Sequence, residues 1–327
     1  MSKISVSNKK TETNNMIKSV LIMLSTYNGQ KYIREQLDSL YNQKDVDIHI
    51  LVRDDGSKDN TVEILKEYQQ RLGRMTILSE PNVGAARSFY KLLIYAKLHF
   101  NKFDYYAFSD QDDVWKTDKL SYSINKLANS TSLLKLFYGN VCITNAGLAP
   151  IRQRERIKFD TLQNNIIGNK QLGCTQVFNY NLFEKIVVGI NAIELNNVQY
   201  YPLHDVWTSL VAFAFNADII YGEDPKMYYR QHESNVVGAG SSRLLTMYYN
   251  WVKRLVHNPN TKSTKCRYML QVYNDIPPES KNTLSLCAIY KETGLNGRLR
   301  LAFNKFFHTQ TFLQNIGFVI SVLSGKF

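Results

Sequence analysis

Cysteine is scarce and unpatterned. The chain has four, Cys142, Cys174, Cys266 and Cys287, and no CxxC pair. This excludes a disulfide framework or a structural zinc site and points to reduced, structural thiols of a cytosolic protein. Long apolar runs are missing as well. No stretch reaches the roughly 18 apolar residues of a spanning helix, and the nearest, FLQNIGFVISVLSG, is interrupted by Gln314 and Asn315. MSKISVSNKKTETNN at the start has no apolar core, so residues 1–18 read as a polar tail rather than a signal peptide. No GxxxxGKS or GxGxxG follows the first apolar run, which disfavours a P-loop or dinucleotide site. Internal repeats and low-complexity tracts are absent.

Negative charge is in deficit: 28 Asp+Glu against 40 Lys+Arg give a formal net charge of +12. Residues 241–327 hold 12 Lys+Arg and 3 Asp+Glu, so +9 of that lies in the last quarter. Such asymmetry suggests an anionic surface partner there, nucleic acid or membrane. Against this background YYAFSDQDDVW (105–115) stands out, because Asp110, Asp112 and Asp113 follow directly on an apolar strand.

With 327 residues, 44% of them apolar, the chain can bury one large α/β core. VLIMLSTY reads as a buried parallel strand. KYIREQLDSLYN follows with Ile33, Leu37, Leu40 and Tyr41 on one helical face. DIHILVRDDGS is a strand, and DNTVEILKEYQQRL a helix capped by Asp59 or Asn60. MTILSE, GAARSFYKLLIYAKL and FDYYAFSD continue as strand, helix, strand. Four alternations with short loops predict a doubly wound α/β sheet flanked by helices. Further on, LLKLFYGNVCIT and KQLGCTQVF read as strands, HDVWTSLVAFAF as a helix, and DIIYGEDPKMYYRQH as two short strands. VVGAGSS (236–242) reads as a linker, and only basic, aromatic helices follow.

Ligands of open α/β sheets bind beyond the carboxyl ends of the strands. Here three such ends carry polar groups: Ser25-Thr26-Tyr27-Asn28, Arg53-Asp54-Asp55-Gly56-Ser57 and Ser109-Asp110-Gln111-Asp112-Asp113. Carboxylates gathered at one edge repel one another unless something positive sits among them. A hard divalent cation fits, taking one or two carboxylates plus substrate phosphate oxygens. The plainer reading is that DQDD caps the next helix. Asp54 and Asp55 suit a base or ribose, or one of them only shapes an Asp-Gly turn. Gly84 permits close backbone approach, and Arg87 suits a phosphate.

STYNGQKYIREQLDSLYNQ, VRDDGSKDNT, EPNVGAARSF and FSDQDDVWKTDKL stand in the order and spacing of family-2 glycosyltransferases. Residues 19–240 resemble that family's GT-A domain, with 241–327 as a basic helical extension outside the resemblance. The likeness implies inverting transfer of a sugar from a nucleoside diphosphate sugar, assisted by Mg²⁺ or Mn²⁺. The family's DxD motif falls on Asp110-Gln111-Asp112, with Asp112 as the metal carboxylate. Asp55, or alternatively Asp54, matches the nucleobase contact, and Thr26, Tyr27 and Asn28 the nucleotide-binding strand end. Asp205, in LHDVW, matches the general base, its plainer reading being a helix cap. Arg230 and His232 in YRQH are candidates for helping the leaving diphosphate, by direct contact or by metal ligation, the plainer reading of a lone histidine being a surface or core residue. Asp113, Trp115, Cys174, Thr175, His204 and Trp207 fall in the acceptor or sugar pocket.

SDQDDVW, GCTQVFN, LHDVWTSLVA and YRQHESNVVGA are most similar to the bacterial rhamnosyltransferase subgroup. That implies dTDP-L-rhamnose as donor and a cell-surface polysaccharide or lipid-linked precursor as acceptor. The alternatives are a UDP-hexose donor with the same chemistry, or an inactive sugar-nucleotide-binding scaffold. A processive synthase is disfavoured by the lack of QxxRW and of spanning helices. A nucleotidyltransferase lacks its glycine-rich loop. In GRLRLAFNKFFH, Leu299, Ala302, Phe303, Phe306 and Phe307 share one helical face, with Arg298 and Lys305 opposite. Such a helix lies on a membrane, docks on the protein's own core or joins a second subunit. No nucleic-acid motif is present. The expected location is cytoplasmic, with peripheral attachment to the inner membrane face through this helix.

Overall fold

The computed structural model describes residues 17–154, 161–168, 171–195, 202–232, 261–309 and 312–327. Most of the expected polar tail and the linker at 236–242 lie outside these residues.

The chain opens with β1 (Lys18–Thr26), α1 (Ile33–Tyr41), β2 (Val46–Asp54), α2 (Thr61–Leu72), β3 (Met75–Ser79), α3 (Ala85–His99) and β4 (Tyr105–Ser109). β5 (Val114–Trp115), α4 (Lys119–Ala128), β6 (Lys135–Gly139), β7 (Cys142–Thr144), β8 (Pro150–Gln153) and α5 (Leu162–Ile167) follow. Then come β9 (Val177–Asn179), α6 (Tyr180–Leu195), α7 (His204–Ala214), β10 (Asp218–Gly222) and β11 (Met227–Arg230). The last described elements are α8 (Thr261–Val272), α9 (Pro278–Ile289), α10 (Gly294–Ala302) and α11 (Phe312–Leu323).

Seven strands form the main sheet in the order β10-β6-β9-β4-β1-β2-β3. β9 is its one antiparallel member, pairing against both β4 and β6. The chain runs β1, β2, β3 to one side, then returns to place β4 on the other side of β1. Strand order therefore reverses at β1, and the crevice of such a sheet opens beyond the ends of β1 and β4.

The unbroken apolar run of β1 has a physical reason. Val20, Ile22 and Leu24 enter the hydrophobic core on one face of the sheet, and Leu21 and Met23 the core on the other; all five are fully buried. Each such side chain contributes about 1.5–3 kcal/mol. A strand buried on both faces cannot alternate with polar residues.

A second sheet, β5-β11-β7-β8, stands beside the first. Its pairing Met227↔Trp115 and Tyr228↔Val114 draws the end of β11 to the segment that follows β4. This also answers the capping reading of DQDD. β5 follows it, and α4 begins only at Lys119, so the aspartates do not sit at a helix start.

Two other expectations are corrected. In KQLGCTQVF only Val177–Asn179 is strand, and Gly173–Thr175 forms a tight 3₁₀ turn closed by Thr175 Oγ1 donating to Leu172 O at 2.8 Å. In GRLRLAFNKFFH the helix stops at Ala302. Phe307 N then bonds back to Asn304 O at 3.0 Å, so Phe306 and Phe307 leave the expected face. Leu301, Ala302 and Phe307 are buried, whereas Phe303 and Phe306 are exposed. Arg298 folds along α11 and donates to Leu323 O at 3.0 Å. The C-terminal helices share the core of the sheet's α7 face: Cys266, Met269 and Tyr273 pack in one cluster with Trp207 and Leu210.

Candidate active site

At the ends of β1 and β2 the polar groups are bonded to one another. Asp54 is fully buried. Its carboxylate accepts Thr26 Oγ1 at 3.1 Å, Gly56 N at 3.2 Å, Ser57 N at 2.9 Å and Ser57 Oγ at 2.5 Å. Asp55 is paired with the buried Arg53 and accepts Val83 N at 2.8 Å and Gly84 N at 2.9 Å. Arg53 in turn reaches Glu80 at 3.1 Å and Pro81 O at 2.9 Å. Both carboxylates thus shape loops. Asp55 fixes the segment before α3, where Gly84 (φ 84°) turns into the helix and Arg87 sits in its first turn.

Gln111 works the same way. Its Oε1 accepts Tyr27 N at 2.8 Å and its Nε2 donates to Tyr27 O at 3.1 Å, fastening the loop after β4 to the end of β1. Gly29 lies against it, and a Cβ there would come within 2.4 Å of Gln111 Oε1. Asn28, at φ 48°, accepts Lys58 N at 2.8 Å, and its own N–H is donated to Ser57 Oγ at 2.8 Å. Tyr27 is left 44% exposed at the crevice, and Thr26 is buried.

Beyond β4 the aspartates are far less well served. Asp113 is fully buried. Its Oδ1 accepts a long bond from Arg230 N, 3.3 Å, and the Cys174 thiol also hydrogen-bonds to the carboxyl. Among the described residues no N–H or O–H reaches its Oδ2. Asp110, Asp113 and the buried Cys174 bring their ligand atoms within 4.8 Å of one another. Burial, and then the charge of Asp112, raise both carboxyls: Asp110 to about 7 and Asp113 well above the usual range. Burial and these two neighbours push the Cys174 thiol up, so it stays protonated.

Asp112 Oδ2 and His232 Nε2 lie 2.8 Å apart, although 120 positions separate them in the chain. The pairing of β11 with β5 brings them together. Arg230 does not face the crevice. Only 2% exposed, it donates through Nε to Asp112 O at 2.8 Å, pairs with Glu35 and covers the Tyr32 ring at 4.4 Å. It braces the aspartate loop from behind, and that geometry departs from a diphosphate contact.

Asp205 is the second residue of α7, and Leu203 occupies the cap position. Its carboxylate accepts Val206 N at 2.7 Å. Burial raises it to about 6, while the Lys265 ammonium of α8 acts to lower it. Arg154, just past β8, is also in electrostatic reach of Asp205. Asp205 in turn helps raise Asp110, which places both in one electrostatic group. Gln176 holds the start of α7 in place, donating to Asp205 O at 3.2 Å and Ser209 Oγ at 3.1 Å.

Four of the expected pocket residues are buried in packing or turn roles. His204 stacks on Phe89 at 3.6 Å between ring centroids, and burial drives it down to about 3, so it is a neutral core residue. Trp207 is fully buried in the core. Trp115 is 3% exposed beneath Lys119, whose Nζ lies 3.3 Å from its ring centroid. Thr175 closes the 3₁₀ turn. An apolar strand or helix pattern predicts burial at these places, and motif position alone does not overrule it. Lys119 itself was not singled out from sequence. Burial lowers it to about 7, partly offset by Cys174 and Asp113.

The residues present fit a hard divalent cation. Among the described residues Asp113 Oδ2 is buried without an N–H or O–H donor, and the charge of Asp112 helps raise Asp110. Asp112 offers carboxylate oxygens, the ligand type that suits Mg²⁺ or Mn²⁺, beside the His232 imidazole nitrogen 2.8 Å away.

Comparison with known proteins agrees with this architecture. The family model described as Glycosyl transferase family 2 matches residues 21–186. The dTDP-rhamnosyl transferase RfbG of Shigella flexneri is 33% identical over 230 residues, covering 67% of this chain and 75% of that protein. The putative teichuronic acid biosynthesis glycosyltransferase TuaG of Bacillus subtilis is 28% identical over 203 residues, 61% of this chain and 74% of its own. A crystal structure of S. aureus TarS 1–349 in complex with UDP-GlcNAc superposes with TM-score 0.52 at 17% identity. It covers 94% of this chain and 90% of that one, a likeness of fold.

Proposed function

The chain belongs to glycosyl transferase family 2, and from that premise we propose that it moves L-rhamnose from dTDP-L-rhamnose onto a glycan hydroxyl, with Mg²⁺ or Mn²⁺ as cofactor. The enzyme is a nucleotide-sugar glycosyltransferase of GT-A architecture. The observation that carries the donor sugar is the 33% identity, across two thirds of this chain, to a dTDP-rhamnosyl transferase. A growing cell-surface polysaccharide or its lipid-linked precursor is the acceptor that this likeness favours.

The chemistry follows from the acidic group. Asp110, Asp112 and His232 would hold the cation, which supplies counter-charge to the donor's diphosphate. Tyr27 and the loops fixed by Asp54 and Asp55 face the nucleotide, so these carboxylates act on the donor through the backbone they position. Asp205 is the general base. Raised to about 6, it is ionised at neutral pH yet basic enough to take a proton. The acceptor oxygen bonds to the anomeric carbon from the face opposite the diphosphate, and its proton passes to the Asp205 carboxylate. The bond from carbon to diphosphate oxygen breaks, and its electron pair leaves with the diphosphate. Configuration inverts.

Donor hydrolysis without acceptor tests the reading. With dTDP-L-rhamnose, UDP-glucose, UDP-galactose and UDP-N-acetylglucosamine side by side, dTDP-rhamnose should be consumed fastest. A preference for any UDP-sugar overturns the donor assignment and leaves the family standing. Turnover of none, even with acceptor glycans supplied, favours a sugar-nucleotide-binding scaffold.

A further inference from the structure

The apolar surface of this protein is concentrated at one end. Among the described residues 17 large apolar side chains are exposed, and nine of them lie between Ile289 and Ile320. They follow helical spacing. Leu295, Leu299 and Phe303, four apart, are 68%, 40% and 70% exposed along α10 and its cap. Phe312, Ile316 and Ile320, again four apart, line α11 at 76%, 40% and 44%. Phe306, 60% exposed, lies in the connection between them. The opposite sides of both helices are already occupied, since Leu301, Ala302, Phe318 and Val322 belong to the core. The exposed stripes are therefore surplus to folding, and scattered single residues would not repeat at this period.

Charge selects the occupant. After Glu292 the sequence has no Asp or Glu, but it has Arg298, Arg300, Lys305 and Lys326. Arg300, Lys305 and Lys326 are exposed beside the apolar stripes. A second copy docking by the same patch would press like charges together, because a two-fold contact sets a surface against itself. An anionic lipid surface satisfies both features at once, since apolar side chains enter the interface and the cations meet headgroup phosphates. We propose that α10, α11 and Phe306 between them form a lipid-binding surface that seats the enzyme on an anionic bilayer. Among the described residues no helix is long and apolar enough to cross a membrane, so the attachment is interfacial. The inference does not depend on which sugar is transferred.

The full-length chain is floated with vesicles of phosphatidylglycerol and phosphatidylcholine, and with phosphatidylcholine alone. Binding should require phosphatidylglycerol and weaken with salt. Arg300→Glu with Lys305→Glu should lower the partition coefficient by at least about fivefold per charge. Phe303→Ser with Phe306→Ser should lower it by about tenfold or more at any salt, with an unchanged melting midpoint because both rings are already in water. Donor hydrolysis in free solution should be unaffected by all four substitutions. Absence of flotation at low salt overturns the proposal. So does a dimer in sedimentation that Phe303→Ser with Phe306→Ser dissociates while vesicle binding stays at background, because a second copy then covers the patch.

Discussion

Asp54 and Asp55 end β2; Asp110, Asp112 and Asp113 follow β4, two strands away on the same sheet edge. The first pair is surrounded by donors. Asp54 accepts four hydrogen bonds within the chain, and Asp55 accepts two backbone N–H groups and the Arg53 guanidinium. In the second group Asp113 has one long backbone bond, a weak thiol donor in Cys174 and an oxygen that meets no N–H or O–H among the described residues, and Asp110 and Asp113 are both raised by burial and by Asp112. Buried polar groups are nearly always paired. A carboxylate paired inside the protein has its work in the frame. Carboxylates left short of positive charge in a crevice point to a counter-charge that comes with the ligand.

The sharpest way to break this comparison is Asp205→Asn. Turnover should fall about 10²- to 10⁴-fold, the worth of a general base, while donor affinity holds. Stability should not fall. A carboxyl whose folded value is about 6, above its unfolded value, binds protons more readily in the folded state. Above that pH its charge costs stability, and the neutral amide removes that cost. A collapse of donor affinity would move Asp205 into the nucleotide site and leave the base unassigned.

Asp55→Ala should show the converse. Losing the Asp55 carboxylate removes one of the two acidic partners of the buried Arg53, which keeps Glu80 at 3.1 Å, and takes the acceptor from Val83 N and Gly84 N, at a cost of about 1–3 kcal/mol. The melting midpoint should drop by several degrees, and whatever protein stays folded should keep much of its turnover. Thermal melts beside single-turnover rates separate the two. Unchanged stability with lost nucleotide binding would return Asp55 to direct contact with the base.

The smallest effect concerns pH. If Asp205 must be ionised, the rate rises with pH through about 6. Lys265 helps keep the carboxyl from rising further. Lys265→Ala should therefore shift the limb to higher pH, lowering the rate severalfold at pH 6 and hardly at pH 8. A pH profile that does not move would place Lys265 outside the electrostatic reach of the base.

Much of this edge was legible in the sequence, and the reasons are physical. The run Val20-Leu21-Ile22-Met23-Leu24 is apolar on both faces, so β1 could only be an interior strand. The polar strand ends beside it marked the crevice. Long-range pairing was not legible. Nothing local announces that β9 enters antiparallel or that β11 carries His232 to Asp112. Side-chain direction was the other gap. Arg230 and His232 are two residues apart, yet one turns inward to brace the aspartate loop and the other meets Asp112. The motifs point to His204 and Trp207 as pocket residues, whereas packing buries both rings in the core. In the C-terminal helices the apolar periodicity continues past Ala302, where the helix itself stops.

On the proposed function, the group after β4 takes up a positive ion that the group after β2 does not need. Titrating Mn²⁺ into the protein with dTDP present, and following the free-ion electron paramagnetic resonance signal, tests it most directly. Wild-type enzyme should bind one Mn²⁺ per chain more tightly with dTDP than without. Asp112→Asn should lose that binding, and with it about 10³-fold of turnover, because an amide keeps the shape but not the anionic ligand. Equal Mn²⁺ affinity in wild type and Asp112→Asn, or full turnover of the variant at ordinary Mg²⁺, would contradict the account.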